Sequence, residues 1–156
     1  LDVGNFGRDP EGRELLNEAP TVELEGSSER QIRVGESLNL TASAADDGTP
    51  EVKPAPQGRP GSPRSRSNAL GLRVAWHIYR GDGSKATFDP PQFKIYPDYR
   101  LNSNSPWSPG WEPPALPEHR RFPVTATFTE PGNYVVRILA HDGGLTDHRD
   151  VRVTVR

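Results

Sequence analysis

The stretch FTEPGNYVVRILAHDGGLTDHRDVRVTV, residues 128–155, decides the fold. In its first half, every second residue from 134 to 140 lies on one apolar face, which carries Tyr134, Val136, Ile138 and Ala140. Its second half repeats the alternation with Val151, Val153 and Val155. Such a period of two predicts half-buried β-strands. The turn sequences Glu-Pro-Gly-Asn at 130–133 and Asp-Gly-Gly at 142–144 separate the strands, so the stretch predicts an antiparallel hairpin entered through a tight turn.

The same alternation recurs upstream. Its segments are 21–24, 31–34, 38–43, 74–79 and 124–128. Together with the two runs at 134–140 and 151–155, they predict an all-β, seven-strand antiparallel sandwich. A short return strand is expected to begin near Lys85. A helix is expected only over 10–18, where Asp9 is placed as the N-cap and Pro10 as the first helical residue.

Three segments do not fit the strand pattern. Residues 1–19 form a short N-terminal leader, and residues 47–69 and 98–120 are rich in proline and predict long loop insertions. Without them, the segment 20–156 retains a core close to the ~100 residues of an immunoglobulin-like sandwich. We therefore predict a leader over 1–19 and one sandwich domain over 20–156.

Composition excludes several classes of function. The 156 residues carry a formal charge of -2, which lacks the basic field of non-specific nucleic-acid binding. No apolar run reaches the ~20 residues of a membrane span. There is no cysteine, which excludes disulfides, thiolate metal sites and thiol nucleophiles. Because the chain opens at Leu1 rather than Met, we expect a processed chain or a piece of a longer one.

Several segments together resemble a polycystic-kidney-disease (PKD) repeat. They are VGESLNLTAS at 34–43, VAWHI at 74–78, GDGS at 81–84, FTEPGNYVV at 128–136 and DGGLTD at 142–147. The resemblance covers the core alone, and both insertions depart from the family pattern. It implies a β-sandwich module of secreted or cell-surface proteins that is usually non-catalytic and embedded in a larger chain. The sequence itself holds no nucleophile elbow, His-Glu-x-x-His, phosphate loop or dinucleotide fingerprint, so we do not expect an enzyme.

Three residues are predicted to form the structural core. Trp76 lies on an inward-facing position of the third core strand, and Tyr134 follows the Pro-Gly turn where a sandwich places a corner tyrosine. Val136 shares the inward face with Tyr134.

Strand direction predicts where the loops lie. If successive strands alternate in direction, then 47–69, 98–120 and the hairpin tip at 142–147 gather at one end, and the turns at 81–83 and 130–133 at the other. Loops held by a rigid sandwich are common binding sites. The predicted binding residues at this end are Tyr99, Trp107, Trp111, Arg59, Arg64 and Arg66.

The two tryptophans and the three arginines each have two interpretations. The two tryptophans present flat faces to a sugar ring or a partner protein, or they fold back to cover the flank of the sandwich. In one interpretation, the basic segment around Arg59, Arg64 and Arg66 binds an anionic partner such as an acidic polysaccharide. In the other, it is a solvated insertion.

Acidic and histidine side chains are considered as metal ligands. Asp46, Asp47, Asp142 and Asp147 converge at the same end, where oxygen ligands suit calcium, although Asp-Gly is also ordinary turn chemistry. His77, His141 and His148 share an outward parity, but the expected register separates His77 from His141, so they predict exposed polar residues and no zinc site. No cofactor is expected apart from this calcium candidate.

The predicted function is a non-catalytic binding or structural module of a secreted, cell-surface or periplasmic assembly that mediates protein–protein contacts. Its partners are other subunits, neighbouring domains or further copies of the chain, and the face bearing Tyr79, Val135 and Leu139 is a secondary contact surface. One alternative is a carbohydrate-binding accessory module that uses Trp107 and Trp111 on a polysaccharide. The other is a spacer stiffened by calcium.

Overall fold

The computed structural model describes residues 16–50, 71–109 and 111–156. Eight strands are present in these ranges: β1 Thr21–Leu24, β2 Glu29–Ile32, β3 Ser37–Ala45, β4 Arg73–Arg80, β5 Ala86–Asp89, β6 Arg121–Phe128, β7 Gly132–His141 and β8 Thr146–Val155. Short 3-10 turns at Gly83–Lys85 and Glu118–Arg120 precede β5 and β6. The all-β prediction is confirmed. The predicted helix over 10–18 falls mostly outside the described residues.

The strands form two four-stranded sheets. The first has the order β1-β3-β6-β5, and the second has the order β2-β8-β7-β4. In an immunoglobulin-like sandwich, a four-stranded sheet packs against a sheet whose centre is formed by strands such as β4, β7 and β8. The two sheets of this chain have that arrangement. The predicted architecture is therefore confirmed, with one extra strand and one parallel pair, β2 with β8.

The extra strand is β5, and the parallel pair arises within the segment 21–32. The chain passes from the first sheet to the second at Gly26, whose positive φ of 80° interrupts the extended backbone. β1 pairs antiparallel with β3, and β2 continues in the same direction and so lies parallel to β8. The prediction of seven antiparallel strands was wrong in number, because β5 is the eighth strand, and in direction, because β2 runs parallel to β8. The strand predicted at 31–34 lies at Glu29–Ile32, since a period of two does not say which sheet a short edge segment joins.

The core lies between the two sheets. Trp76 and Val136 are buried from the second sheet, and the indole Nε1 of Trp76 donates a hydrogen bond of 3.1 Å to the carbonyl oxygen of Phe122 in the first. The Tyr134 ring packs against Phe128 with 4.7 Å between centroids. The Tyr134 hydroxyl donates to the Glu130 carbonyl oxygen at 3.1 Å, which is the geometry of a tyrosine corner.

Strand register shows which loops share an end of the sandwich. Ser43 lies opposite Arg121, Arg73 opposite His141, and His141 opposite Thr146. Consequently 46–50, 71–72, 90–120 and 142–145 share one end, which we call the insertion pole. The turns after β4 and before β7 lie at the other end, since Ala86 pairs with Phe128 and Gly132 with Val155. The predicted gathering of loops is confirmed for the described residues, whereas 51–69 lies outside them.

The last residues of the leader dock on the insertion pole. The side-chain amide of Asn17 donates to Oδ2 of Asp142 at 3.0 Å, and the backbone N–H of Glu18 donates to Oδ2 of Asp47 at 3.2 Å. Pro20 is buried. The described end of the leader is thus bound to the two loops that flank it.

Candidate functional site

The connection between β5 and β6, residues 90–120, folds back over the second sheet, and we call it the second insertion. It begins at Pro90, earlier than the predicted residue 98, because β5 ends after four residues at Asp89. The backbone N–H of Trp76 faces away from β7, and Oε1 of Gln92 accepts its hydrogen bond at 2.9 Å. The outward-facing Arg73 and Ala75 are buried, with exposed fractions of 7% and 1%. The insertion therefore covers the edge and part of the outer face of β4.

Buried serines hold the second insertion together. Ser105 and Ser108 are buried, and Oγ of Ser108 donates to the Arg100 carbonyl oxygen at 2.6 Å. Oγ of Ser105 donates to the carbonyl oxygen of Tyr96 at 3.2 Å. Small hydroxyl side chains thus provide internal hydrogen bonds where regular backbone pairing is missing.

Asp98 is the charged centre of the second insertion. Its carboxylate accepts hydrogen bonds from the guanidinium of Arg100 at 2.7 and 2.9 Å and from Nζ of Lys94. These bonds, led by those of Arg100, hold the pKa of Asp98 well below its ordinary value. The carboxylate is ionised at neutral pH and fixes the two cations on either side of it.

The three predicted aromatic residues occupy different environments. Trp111 is 8% exposed, its ring meets Phe93 edge-on at 5.3 Å, and its Nε1 donates to Oδ1 of Asn104 at 3.0 Å. Its burial fits the expectation that a tryptophan here covers the flank. Trp107 is half-buried and lines a cleft, and Tyr99 is exposed. Of these three rings, the last two are available to a ligand.

The cleft lies between the second insertion and the outer face of β4 and β7. Phe93, Ile95, Pro106 and Trp107 form one wall, and Arg73, Ala75, Leu139 and His141 form the other. Its volume is about 190 Å³. The two polar residues of the second wall are cross-strand partners, since Arg73 pairs with His141.

Electrostatics fix the protonation states in the cleft. Nδ1 of His141 accepts the backbone N–H of Gly143 at 2.7 Å and lies 3.1 Å from Nη2 of Arg73. Burial, reinforced by the Arg73 charge, lowers the pKa of His141 to about 4, so the ring is neutral and its hydrogen is on Nε2. Burial lowers the pKa of Arg73 to about 10, against the opposing effect of Asp142, and the guanidinium stays charged at neutral pH.

The outer surface of the second insertion exposes large side chains. Tyr96, Tyr99 and Leu101 have exposed fractions of 59%, 67% and 67%. The side chain of Arg100 lies among them and is 80% exposed while it is bound to Asp98. We call these four residues the insertion crest.

Two groups of predicted contact residues remain. Arg59, Arg64 and Arg66 lie outside the described residues. Tyr79, in the secondary contact surface, is exposed and lies on the opposite half of β4 from the cleft, with the guanidinium of Arg137 3.5 Å from its ring centroid.

The four candidate calcium ligands share the insertion pole, and each carboxylate accepts backbone hydrogen bonds. Asp142 accepts from Gly144 and Leu145, and Asp147 accepts from Val22. Asp46 and Asp47 accept from Gly48 and Thr49. In the ranges that the structure covers, no three acidic, histidine or cysteine side chains are grouped as a metal ion requires. The geometry is that of turn caps, and a calcium site remains a prediction.

The histidines do not converge. His77 pairs with Arg137, one residue from the expected register, and His148 lies opposite Leu139 on the far side of β7. His148 is exposed and His77 is half-buried.

Arg73 and the place of His141 in the cleft are not predicted from the sequence. The alternation in β4 was predicted from Val74 onwards. Extending it by one residue towards the N-terminus places Arg73 on the outward face together with Ala75. Arg73 and His141 line a cleft because the second insertion packs beside them. No local sequence pattern predicts such packing.

Comparison with known proteins adds no family. No protein-family model matches the sequence, and no curated protein does. Within the described ranges, no helix has the length and apolarity needed to cross a membrane.

Solved structures with sandwich domains give partial superpositions. S-layer protein SbsC domains 4 and 5 share 12% identity at a TM-score of 0.43 over 86% of this chain, which spans half of that structure's length. A conjugative transposon lipoprotein from Bacteroides eggerthii DSM 20697 shares 12% identity at a TM-score of 0.47, covering 86% of this chain and 95% of that one. Fibronectin(III)-like modules of Clostridium thermocellum CbhA share 15% identity at a TM-score of 0.40, over 88% of this chain and 47% of theirs. No function is taken from this likeness. The immunoglobulin-like assignment rests on the strand order, and the PKD resemblance remains a prediction.

Proposed function

We propose that the chain is a non-catalytic binding module of a secreted, cell-surface or periplasmic assembly, and that it contacts a partner protein through the insertion crest. The observation that carries the proposal is that four exposed residues, Tyr96, Tyr99, Arg100 and Leu101, stand on a loop held by buried serines. Tyrosine and arginine are enriched at the energetic centres of protein interfaces. A loop that is already ordered loses little entropy when it binds.

The chemistry of the crest defines its partner. Two tyrosine rings and a leucine suit an apolar surface, and Arg100 adds a planar cation among them. Asp98 holds this guanidinium in place, and its exposed edge suits a carboxylate. The partner is therefore a protein surface that combines apolar side chains with aspartate or glutamate.

Selection from a random peptide library tests this proposal, because it measures which surface chemistry the chain prefers without requiring an identified partner. Peptides are selected on the immobilised full chain and their affinities measured for the free chain. We expect the enriched peptides to pair aromatic or aliphatic residues with Asp or Glu. Tyr99→Ser is expected to weaken their binding about 30-fold, corresponding to the ~2 kcal/mol of an interface hot spot.

A matched control is Tyr79→Ser, which removes an exposed tyrosine from the outer face of β4, away from the crest. We expect it to leave the selected peptides bound as tightly as the unaltered chain binds them. If Tyr99→Ser has no effect on any enriched peptide, the crest is not the binding surface. If Tyr79→Ser has the larger effect, the secondary contact surface takes its place.

The calcium-stiffened spacer has its own test. A folded chain with a calcium site must show a melting temperature that rises with added calcium and falls with chelator. The carboxylates of Asp142 and Asp147 already accept hydrogen bonds from backbone N–H groups. We therefore expect that added calcium does not raise the melting temperature through the described residues of the insertion pole. A calcium-dependent rise would favour the spacer.

A further inference from the structure

The cleft beside Trp107 has mostly apolar walls. The second insertion supplies Phe93, Pro106 and Trp107, and the outer face of the sheet supplies Ala75 and Leu139. Trp107 is half-buried, so part of its indole ring remains accessible. Aromatic rings pack favourably against other rings edge-on or in an offset stack. The walls therefore suit a flat, apolar ring.

Both cations among the described lining residues have partners. Nζ of Lys94 is ion-paired with the carboxylate of Asp98. The guanidinium of Arg73 lies 3.1 Å from Nδ1 of His141, and the nearby carboxylate of Asp142 stabilises its charge. Since both positive charges are compensated, a charged ligand would lose its hydration without gaining a new counter-charge. The cleft therefore suits an uncharged ligand.

His141 supplies a hydrogen-bond donor to the cleft. Its Nδ1 accepts the backbone N–H of Gly143 at 2.7 Å and faces an N–H of Arg73, so the hydrogen of the neutral ring is on Nε2. Within the described residues Nε2 has no hydrogen-bond partner, and it is not among the buried side-chain atoms that lack one. The Nε2–H group is therefore accessible to an acceptor on a ligand.

The backbone donors beside His141 are already used. The N–H groups of Gly143 and Gly144 donate to His141 and Asp142. A sugar ring carries a hydroxyl group on most of its carbons and would leave several of them unpaired against apolar walls, which costs free energy. A ring with a single oxygen at its edge needs only the Nε2–H of His141.

Size limits the ligand to one ring. The volume of about 190 Å³ exceeds the ~150 Å³ of a cavity that holds benzene, and it falls below the ~300 Å³ at which pockets for drug-sized ligands begin. A benzene ring with one or two small substituents fills such a space.

We propose that this cleft binds an uncharged phenol ring, which packs against Trp107 and Phe93 while its oxygen accepts a hydrogen bond from Nε2–H of His141. Such a ring occurs in free phenolic compounds and in the tyrosine side chains of proteins. The four residues of the insertion crest do not line the cleft, so the site does not depend on the partner proposed for the crest.

NMR titration of the full chain tests the site with three probes: p-cresol, toluene and methyl β-D-glucopyranoside. We expect p-cresol to shift the indole N–H of Trp107 and to saturate with a Kd of about 1 mM or tighter. Toluene has the same ring without the oxygen, and we expect it to bind about fivefold more weakly, the effect of one net hydrogen bond. The glucoside has the hydroxyl groups without the flat ring and is expected not to saturate.

Two variants locate the binding. Trp107→Ala is expected to weaken p-cresol about tenfold, and Tyr99→Ser, on the same insertion but outside the cleft, is expected to leave it unchanged. Because His141 is bound to both Gly143 and Arg73, its substitution risks unfolding, and the ratio of p-cresol to toluene affinity tests its hydrogen bond instead. The proposal is overturned if p-cresol does not saturate, if toluene or the glucoside binds as tightly, or if Trp107→Ala has no effect.

A fourth probe, N-acetyl-tyrosine amide, distinguishes the two sources of the ring. Binding at least as tight as that of p-cresol would identify a tyrosine side chain as the ligand, because the cleft then accommodates the attached backbone. Binding at least tenfold weaker would identify a free phenolic compound. Both results support the phenol site.

Discussion

The ring of Tyr134 lies so close to Gly81 that a Cβ at position 81 would come within 2.6 Å of Tyr134 Cδ1. Gly81 also has a positive φ of 98°, a conformation that residues with a side chain seldom adopt. The two residues join the turn after β4 to the turn before β7, at the end opposite the insertion pole. Both turns connect one sheet to the other, and this contact and the tyrosine corner pack them together.

Gly81→Ala is expected to lower the free energy of unfolding by about 2–4 kcal/mol, because it combines backbone strain with overpacking against Tyr134. Urea denaturation measures the change. Gly83→Ala is the matched control in the same turn, where a Cβ would meet only the Cβ of Ile78 at 3.7 Å. We expect that control to lie within about 0.5 kcal/mol of the unaltered chain. Equal losses in the two variants would contradict the contact described above.

Substitution of Trp76 separates its volume from its hydrogen bond. Trp76→Ala is expected to cost about 3–5 kcal/mol, because it leaves a cavity in the core. Trp76→Phe keeps an aromatic ring but removes the part-buried hydrogen bond from the indole N–H to the Phe122 carbonyl oxygen, at a cost of about 1–3 kcal/mol. Guanidinium denaturation distinguishes the two. A Phe variant as stable as the unaltered chain would show that the indole bond adds nothing.

Two histidines predict how stability depends on pH. Burial and the charge of Arg137 lower the pKa of His77 to about 4, despite the opposing effect of Asp150, and His141 has a similar value in the cleft. In the unfolded chain both titrate near pH 6.5. Between pH 6.5 and 4 the unfolded chain therefore binds more protons, and the free energy of unfolding falls as the pH is lowered through this window. His77→Gln is expected to reduce that slope, and NMR titration of the His77 ring gives the midpoint directly. A midpoint near 6.5 would contradict the burial argument.

Strands with one buried face were the most predictable part of the fold. The alternation from Tyr134 to Ala140 fixed β7, because a shift of one residue would turn every apolar side chain to solvent. The turn at 130–133 then predicted that β7 runs opposite to the strand before it. The short edge strands were less predictable. Four residues of alternation at 21–24 and at 31–34 do not identify a sheet, and the second run overlaps β2 only at residues 31 and 32.

The candidate site was only partly predictable, for a different reason. Strand direction placed Tyr99, Trp107 and Trp111 at one pole, but their exposure depends on contacts made after the insertion folds. Trp111 is buried because Phe93 and Asn104 reach it from other parts of the loop. No periodicity in a proline-rich segment encodes such contacts.

Hydrogen exchange tests most directly the central claim, that the second insertion is folded onto the sheet and so presents a fixed binding surface. The informative amides are those of Trp76, whose partner is the Gln92 side chain, and of Ser105 and Ser108, which donate to the carbonyl oxygens of Ser103 and Ser105. We predict that all three exchange at least ~100-fold more slowly than in an unstructured peptide, because each opens only when the insertion unfolds or detaches. Exchange of the Trp76, Ser105 and Ser108 amides at the unprotected rate, with the β7 amides still protected, would contradict the account.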